Sequence, residues 1–194
     1  MLQALGIVGG LLAFVGFIPY VKDILQKKAK PQRATWFIWL VLGLIAVSSQ
    51  FAKGATSSLW LPSLETFGGL VVFLLSIPYG MGGFGRRDFI ALFVAVLGII
   101  AWYLSREAAV ALYLVILVDA MGVYLTLHKT YLHPETETRL AWTLSAIGGI
   151  FTALAVGSWN IILLSYPTYI IIANIAVVVA IQMGYQRKQR RYVL

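Results

Sequence analysis

The chain has 194 residues, of which 60% are hydrophobic and only 11% charged, with a mean hydropathy of +0.87 and a formal net charge of +8. A soluble domain is about 25% charged, so this composition excludes an ordinary globular protein and points to an integral membrane protein. Without cysteine there is no disulfide, thiolate metal site or thiol nucleophile, and positive charge confined to short turns and a tail is a topology signal, not a nucleic-acid groove.

A hydrocarbon core about 30 Å thick needs about 20 apolar helical residues. Hydropathy predicts seven such spans, at Ala4–Leu25, Thr35–Phe51, Ser58–Ile77, Phe89–Leu104, Ala108–Leu127, Leu140–Val156 and Ile161–Met183. The first lacks a basic region before its apolar part and reads as a retained helix, not a cleaved signal. With seven spans, successive turns alternate sides. Lys22, Lys27, Lys28, Lys30, Arg33, Arg86, Arg87, Lys129, Arg139, Arg187, Lys188, Arg190 and Arg191 then share one side, and only Lys53 and Arg106 fall on the other. The positive-inside rule places the N-terminus outside and the C-terminus inside. Trp36, Trp39 and Trp142 sit at inner span ends and Trp60, Trp102 and Trp159 at outer ends, as indoles at a headgroup boundary would.

The stretch Ile18–Trp39 recurs, weakened, at Met121–Trp142. One offset lays Lys27 near Lys129 and places Pro31 on Pro134, Thr35 on Thr138, Trp39 on Trp142 and Gly54 on Gly157; Pro62 and Pro167 match at a slightly larger one. The expected fold is therefore an all-α integral membrane protein with seven transmembrane helices in a 3+1+3 arrangement of parallel repeats. Residues 1–82 would form a first three-helix bundle, 83–106 a linker helix, and 107–194 a second bundle with a basic tail.

Two carboxylates fall deep inside spans. Asp119 would lie about 18 Å from the outer end, near the midplane, and Glu65 somewhat shallower. An acid at a helix centre costs about 2.5–3.5 kcal/mol to insert and is a functional candidate by default. No base lies at comparable depth. Asn174 is the midplane polar residue of the last span, one face with Pro167, and its amide suits either a polar solute or helix–helix hydrogen bonding. Tyr169, with Gln50, Thr66, Ser165, Tyr166 and Thr168, would line an outer vestibule. Pro19 and Gly122 are hinge candidates, along with Gly68, Gly69, Gly148 and Gly149. No metal is expected, because His128 and His133 lack further ligands at sensible spacing, and no cofactor is expected either.

The pattern resembles the SWEET and PQ-loop superfamily of seven-helix transporters, which includes the Pnu-type vitamin transporters. The architectural likeness covers the whole chain, whereas the motif likeness covers one stretch. Pro19-Tyr20 stands where that family has a Pro-Gln pair, followed by basic Lys27 and Lys28 and by Thr35; Gly122-Val123 stands there in the second repeat, a degenerate signature. The literal Pro31-Gln32 pair lies in the turn. The resemblance implies two parallel bundles joined by a linker helix and alternating access around a site between them. In SWEET proteins an asparagine on the third helix of each bundle contacts sugar. Asn174 occupies that place in the second bundle, and Glu65 followed by Gly68 resembles the Asn-x-x-Gly pattern with an acid for the amide. That acid suits a cationic or amine-bearing solute, or proton coupling as in PQ-loop amino-acid exporters, better than simple sugar facilitation.

The expected function is transport of a small polar solute (a sugar, amino acid or vitamin-like molecule) across the cytoplasmic membrane of a prokaryote. Its partners would be that solute and the lipid bilayer, and a homo-oligomer fits the same layout. A structural or assembly subunit is the alternative. A membrane enzyme using the two carboxylates fits poorly, without a metal set, serine–histidine pairing at depth or nucleotide loop. A retinal protein would need a lysine in the last span, which has none from Ile161 to Met183.

Overall fold

The computed structural model describes residues 2–52, 60–83, 85–104 and 108–192. Lys53, Gly54 and Arg106 lie outside the described residues, as do the side chains of Gln50, Trp60, Pro62, Trp102 and Arg191. The described chain is all helical: α1 Leu2–Val15, α2 Phe17–Leu25, α3 Arg33–Ala52, α4 Trp60–Tyr79, α5 Arg86–Leu104, α6 Ala108–Leu132, α7 Arg139–Ala155 and α8 Ile161–Tyr192, with a 3-10 turn at Pro134–Thr136. Three stretches are long and apolar enough to cross a membrane: Leu2–Leu25, Leu112–Leu132 and Ile161–Arg190. Arg33–Val47, Ser63–Tyr79 and Arg139–Ala155 are shorter apolar helices.

The first apolar stretch breaks at Gly16. Pro19 has no N–H to give the carbonyl of Val15, so the helix stops there and restarts with the proline in a first turn, where the missing donor costs nothing. Gly16 is buried, and a Cβ on it would sit 3.2 Å from the carbonyl of Ala141. The α2 helix ends with Lys27 in the left-handed region at φ 59°. There the N–H of Lys28 bonds the Asp23 carbonyl at 2.8 Å, satisfying the helix end.

The chain forms two compact units. One combines residues 1–31 with 126–194, and the other is residues 32–125. The boundaries of the sequence-based division at 82 and 106 follow chain order, whereas the first unit joins the two chain ends.

In the first unit α1 lies along α7 with backbones nearly touching. A Cβ on Gly9 would sit 2.7 Å from the Gly148 carbonyl, and one on Gly148 would sit 2.5 Å from the Gly9 carbonyl. Small residues thus set the approach. On an adjoining face α7 packs against α8, where Gly149 meets Ile171. The buried stripe of α8, Pro167, Ala173, Asn174, Val177, Ala180, Ile181 and Gly184, has helical periodicity. In the second unit Ala34 and Ile38 of α3, Ala91 and Ala95 of α5, and Val118 and Leu125 of α6 make the core, with Leu92 and Met121 packed on it. Helix α4 joins through α3, where Gly43 abuts Thr66 and the Phe37 and Phe73 rings lie 5.6 Å apart.

Each unit also seats a glycine against a turn. Gly82 lies against the Gln32 side chain and Gly184 against Pro134. The sequence distance from Gln32 to Gly82 equals that from Pro134 to Gly184, although the two pairs lie one residue out of register with the Pro31–Pro134 match.

Candidate functional site

In the first unit the ends of α2 and α6, the following turn and the start of α7 enclose a buried carboxylate. Lys129 and Glu137 form an ion pair with side chains only 5% and 1% exposed. Two lone charges there would be costly, so each needs the other and further hydrogen bonds. Both are supplied. The Tyr20 hydroxyl donates to Glu137 Oε1 at 3.2 Å and the Trp142 indole N–H to Oε2 at 2.8 Å. Lys129 Nζ also donates to the Lys30 carbonyl at 2.7 Å. Beside this cage the Thr138 hydroxyl donates to Asp23 at 2.7 Å, and the Lys30 N–H bonds the Thr136 carbonyl at 2.8 Å. The Tyr20 and Trp142 rings meet edge-on at 6.3 Å.

The second unit has a turn of different chemistry. Asp88, buried at the start of α5, accepts from the N–H groups of Gly83 and Gly85 at 3.0 and 2.8 Å and from the Gln32 amide. Gln32 in turn accepts from the Ala34 N–H at 3.0 Å, capping α3. Arg33 donates to the carbonyls of Ser76 and Ile77 near the end of α4 and of Gly82 in the turn beyond it. Gly82 and Gly83 have φ 73° and 100°, which only glycine adopts without strain.

The residues singled out from sequence are distributed over both units. In the second unit, Asp119 is half-buried on α6, and its carbonyl accepts from the Trp39 indole at 3.4 Å. Glu65 is exposed on α4, on a helix whose exposed residues include Phe67 and Leu74. In the first unit, Asn174 is buried on α8 and its amide donates to the Ile170 carbonyl of its own helix at 2.8 Å. Tyr169 is half-buried, its ring 6.4 Å from that of Tyr166. Pro19 sits just past the Gly16 break. Gly122 lies inside an unbroken α6, where a Cβ would meet the Trp39 indole at 2.8 Å, so it is a contact point between α6 and α3.

Sequence reading passed over the Glu137 cage and Asp88. A signal existed: Asp23, Asp88, Glu135 and Glu137 are acids in or beside turns otherwise rich in Lys and Arg. Among the described residues no group of three or more His, Asp or Glu is placed to hold a metal ion. Comparison with protein-family models, with curated proteins and with solved structures gives no match for this chain.

Proposed function

We propose that the chain is a seven-span membrane transporter of a small polar solute, working by alternating access, with its N-terminus outside and two parallel three-helix repeats joined by α5. The observation that carries this reading is the make-up of the compact units. The first combines the opening helix of one repeat (α1 and α2) with the second and third helices of the other (α7 and α8). The second unit combines α3 and α4 with most of α6, and also holds α5. Apart from α5, each unit therefore has the same recipe, as expected of a duplicated, two-part machine like the SWEET and PQ-loop transporters.

In this reading Asp119 and Glu65 carry charge or protons, Asn174 orients the solute and Tyr169 lines its approach. Exposure of Glu65 among apolar neighbours supports a role for it, because an acid facing lipid at that depth would cost about 2.5–3.5 kcal/mol, a cost that a watered path removes. The test is uptake in proteoliposomes, with and without a pH gradient, comparing the parent with Asp119→Asn and Glu65→Gln. Loss of gradient-driven uptake in either variant is expected, and unchanged uptake in both removes the acids from the mechanism. One observation favours a structural subunit instead: the Asn174 amide is engaged by its own helix. Under that reading Asn174→Ala lowers stability and leaves flux alone.

A further inference from the structure

The two turn clusters differ in how they can open. In the first unit the fastening is a charge pair. Lys129 and Glu137 each prefer water when apart, so the closed, dry pair and an open, hydrated pair are close in free energy compared with an apolar contact of the same size. The pair and its donors tie four segments: Tyr20 is on α2, Lys129 on α6, Glu137 in the turn and Trp142 on α7, with the Thr138–Asp23 and Lys30–Thr136 bonds beside them. Above the cage, one turn further into α6, Thr126 is buried at 1% exposure. The second unit has no such pair at the matching place, because the repeat sets buried Ala34 opposite Glu137. Its turn is held mainly by bonds to backbone groups: Arg33 to three carbonyls, and Asp88 to two N–H groups. Opening it would break all five bonds together.

We propose that the Lys129–Glu137 pair is a one-sided latch: hydration of the pair parts the ends of α2, α6 and α7 in the first unit, while the Arg33–Asp88 turn of the second stays fixed. Its purpose rests on the transport reading, but its detection does not, because opening is measured without solute. The chain lacks cysteine, so a single introduced thiol reports cleanly. Thr126→Cys is labelled with a membrane-impermeant maleimide in membranes open on the basic side, in the parent, in Glu137→Gln and in the double variant K129M/E137L. Glu137→Gln takes the counter-ion from buried Lys129, and labelling should rise about tenfold, a shift of about 1.4 kcal/mol in the opening equilibrium. The double variant replaces the pair with an apolar contact, and labelling should stay at or below the parent rate. If Glu137→Gln does not fold, Tyr20→Phe removes one donor and should give a smaller rise. Equal labelling in all backgrounds, with only the melting temperature moving, would make the pair a static staple and overturn the proposal. Ser76→Cys, fully buried in the second unit, is the control for one-sidedness: it should not respond to Glu137→Gln, and an equal rise there defeats that part. Responsive labelling without solute flux would sink the transport reading and leave the latch; flux with unresponsive labelling would do the reverse.

Discussion

At the scale of single residues, Glu137 and its donors set the energetics of the first unit. Trp142→Phe keeps the ring and removes only the N–H that reaches Glu137. A hydrogen bond to a charged group is worth about 1.5–3 kcal/mol, so a drop of that size is expected in unfolding measurements. Trp39→Phe, whose indole meets a neutral carbonyl at 3.4 Å, should cost about 1 kcal/mol or less. Hydropathy reads every tryptophan at a span end as a headgroup anchor. That description suits Trp159, which is 98% exposed, but Trp36 and Trp142 are buried at 7% and 9%. Position along a helix gives depth but not facing, so the sequence locates the indole without revealing its acceptor. Glu135, outside the cage, shows how the basic tail acts on a turn. Its slight burial raises the carboxyl pKa, but Lys188, its own backbone N–H and His133 outweigh that and hold it below the ordinary value of 4.5. A depressed folded-state pKa gives stability that is present above the ordinary carboxylate range and lost as pH falls through it. Glu135→Gln should therefore flatten the melting-temperature profile below about pH 4.5, slightly, because the side chain is half exposed.

At the scale of helices, the crossing of α1 and α7 is the tightest fit. Gly148→Ala puts a methyl against the Gly9 backbone, which cannot move aside as a side chain can, and overpacking of this kind costs about 1–3 kcal/mol. Gly69→Ala on α4 meets nothing within 4 Å and should be neutral or stabilising by up to about 1 kcal/mol from helix propensity. A matched pair of melting curves separates packing from hinge roles at the two sites. Helix positions were largely legible: the expected Thr35–Phe51 and Leu140–Val156 became Arg33–Ala52 and Arg139–Ala155. The last helix runs on from the expected Met183 to Tyr192, because hydropathy stops where Gln, Arg and Lys begin while their helix propensity does not. Pro19 announced the break in the first span, but its location at Gly16 follows from the N–H that Pro19 cannot give the Val15 carbonyl and the close approach of Ala141.

At the scale of the molecule, orientation is open to direct measurement. In the cysteine-free background, Lys28→Cys in the exposed basic turn should react only from the cytoplasmic side and Trp159→Cys only from outside. Reaction of both from one side would refute the seven-span count. The repeat was readable because Pro31, Thr35 and Trp39 kept their partners at one offset. The grouping of helices into units was not readable. Glycines such as Gly9 and Gly148 mark close approach but do not name the helix that approaches, and nothing in a hydropathy profile pairs the first span with the last two.

That pairing has a consequence in time. The residues of the second unit are contiguous, so it is complete as soon as α6 has been made. The first unit is not: Gly9 meets Gly148 only after about 140 further residues have been synthesised. At about 5–20 residues per second, α1 waits on the order of ten seconds with its glycine face uncovered. During that interval the nascent protein is most open to capture by an insertion chaperone or by the wrong helix.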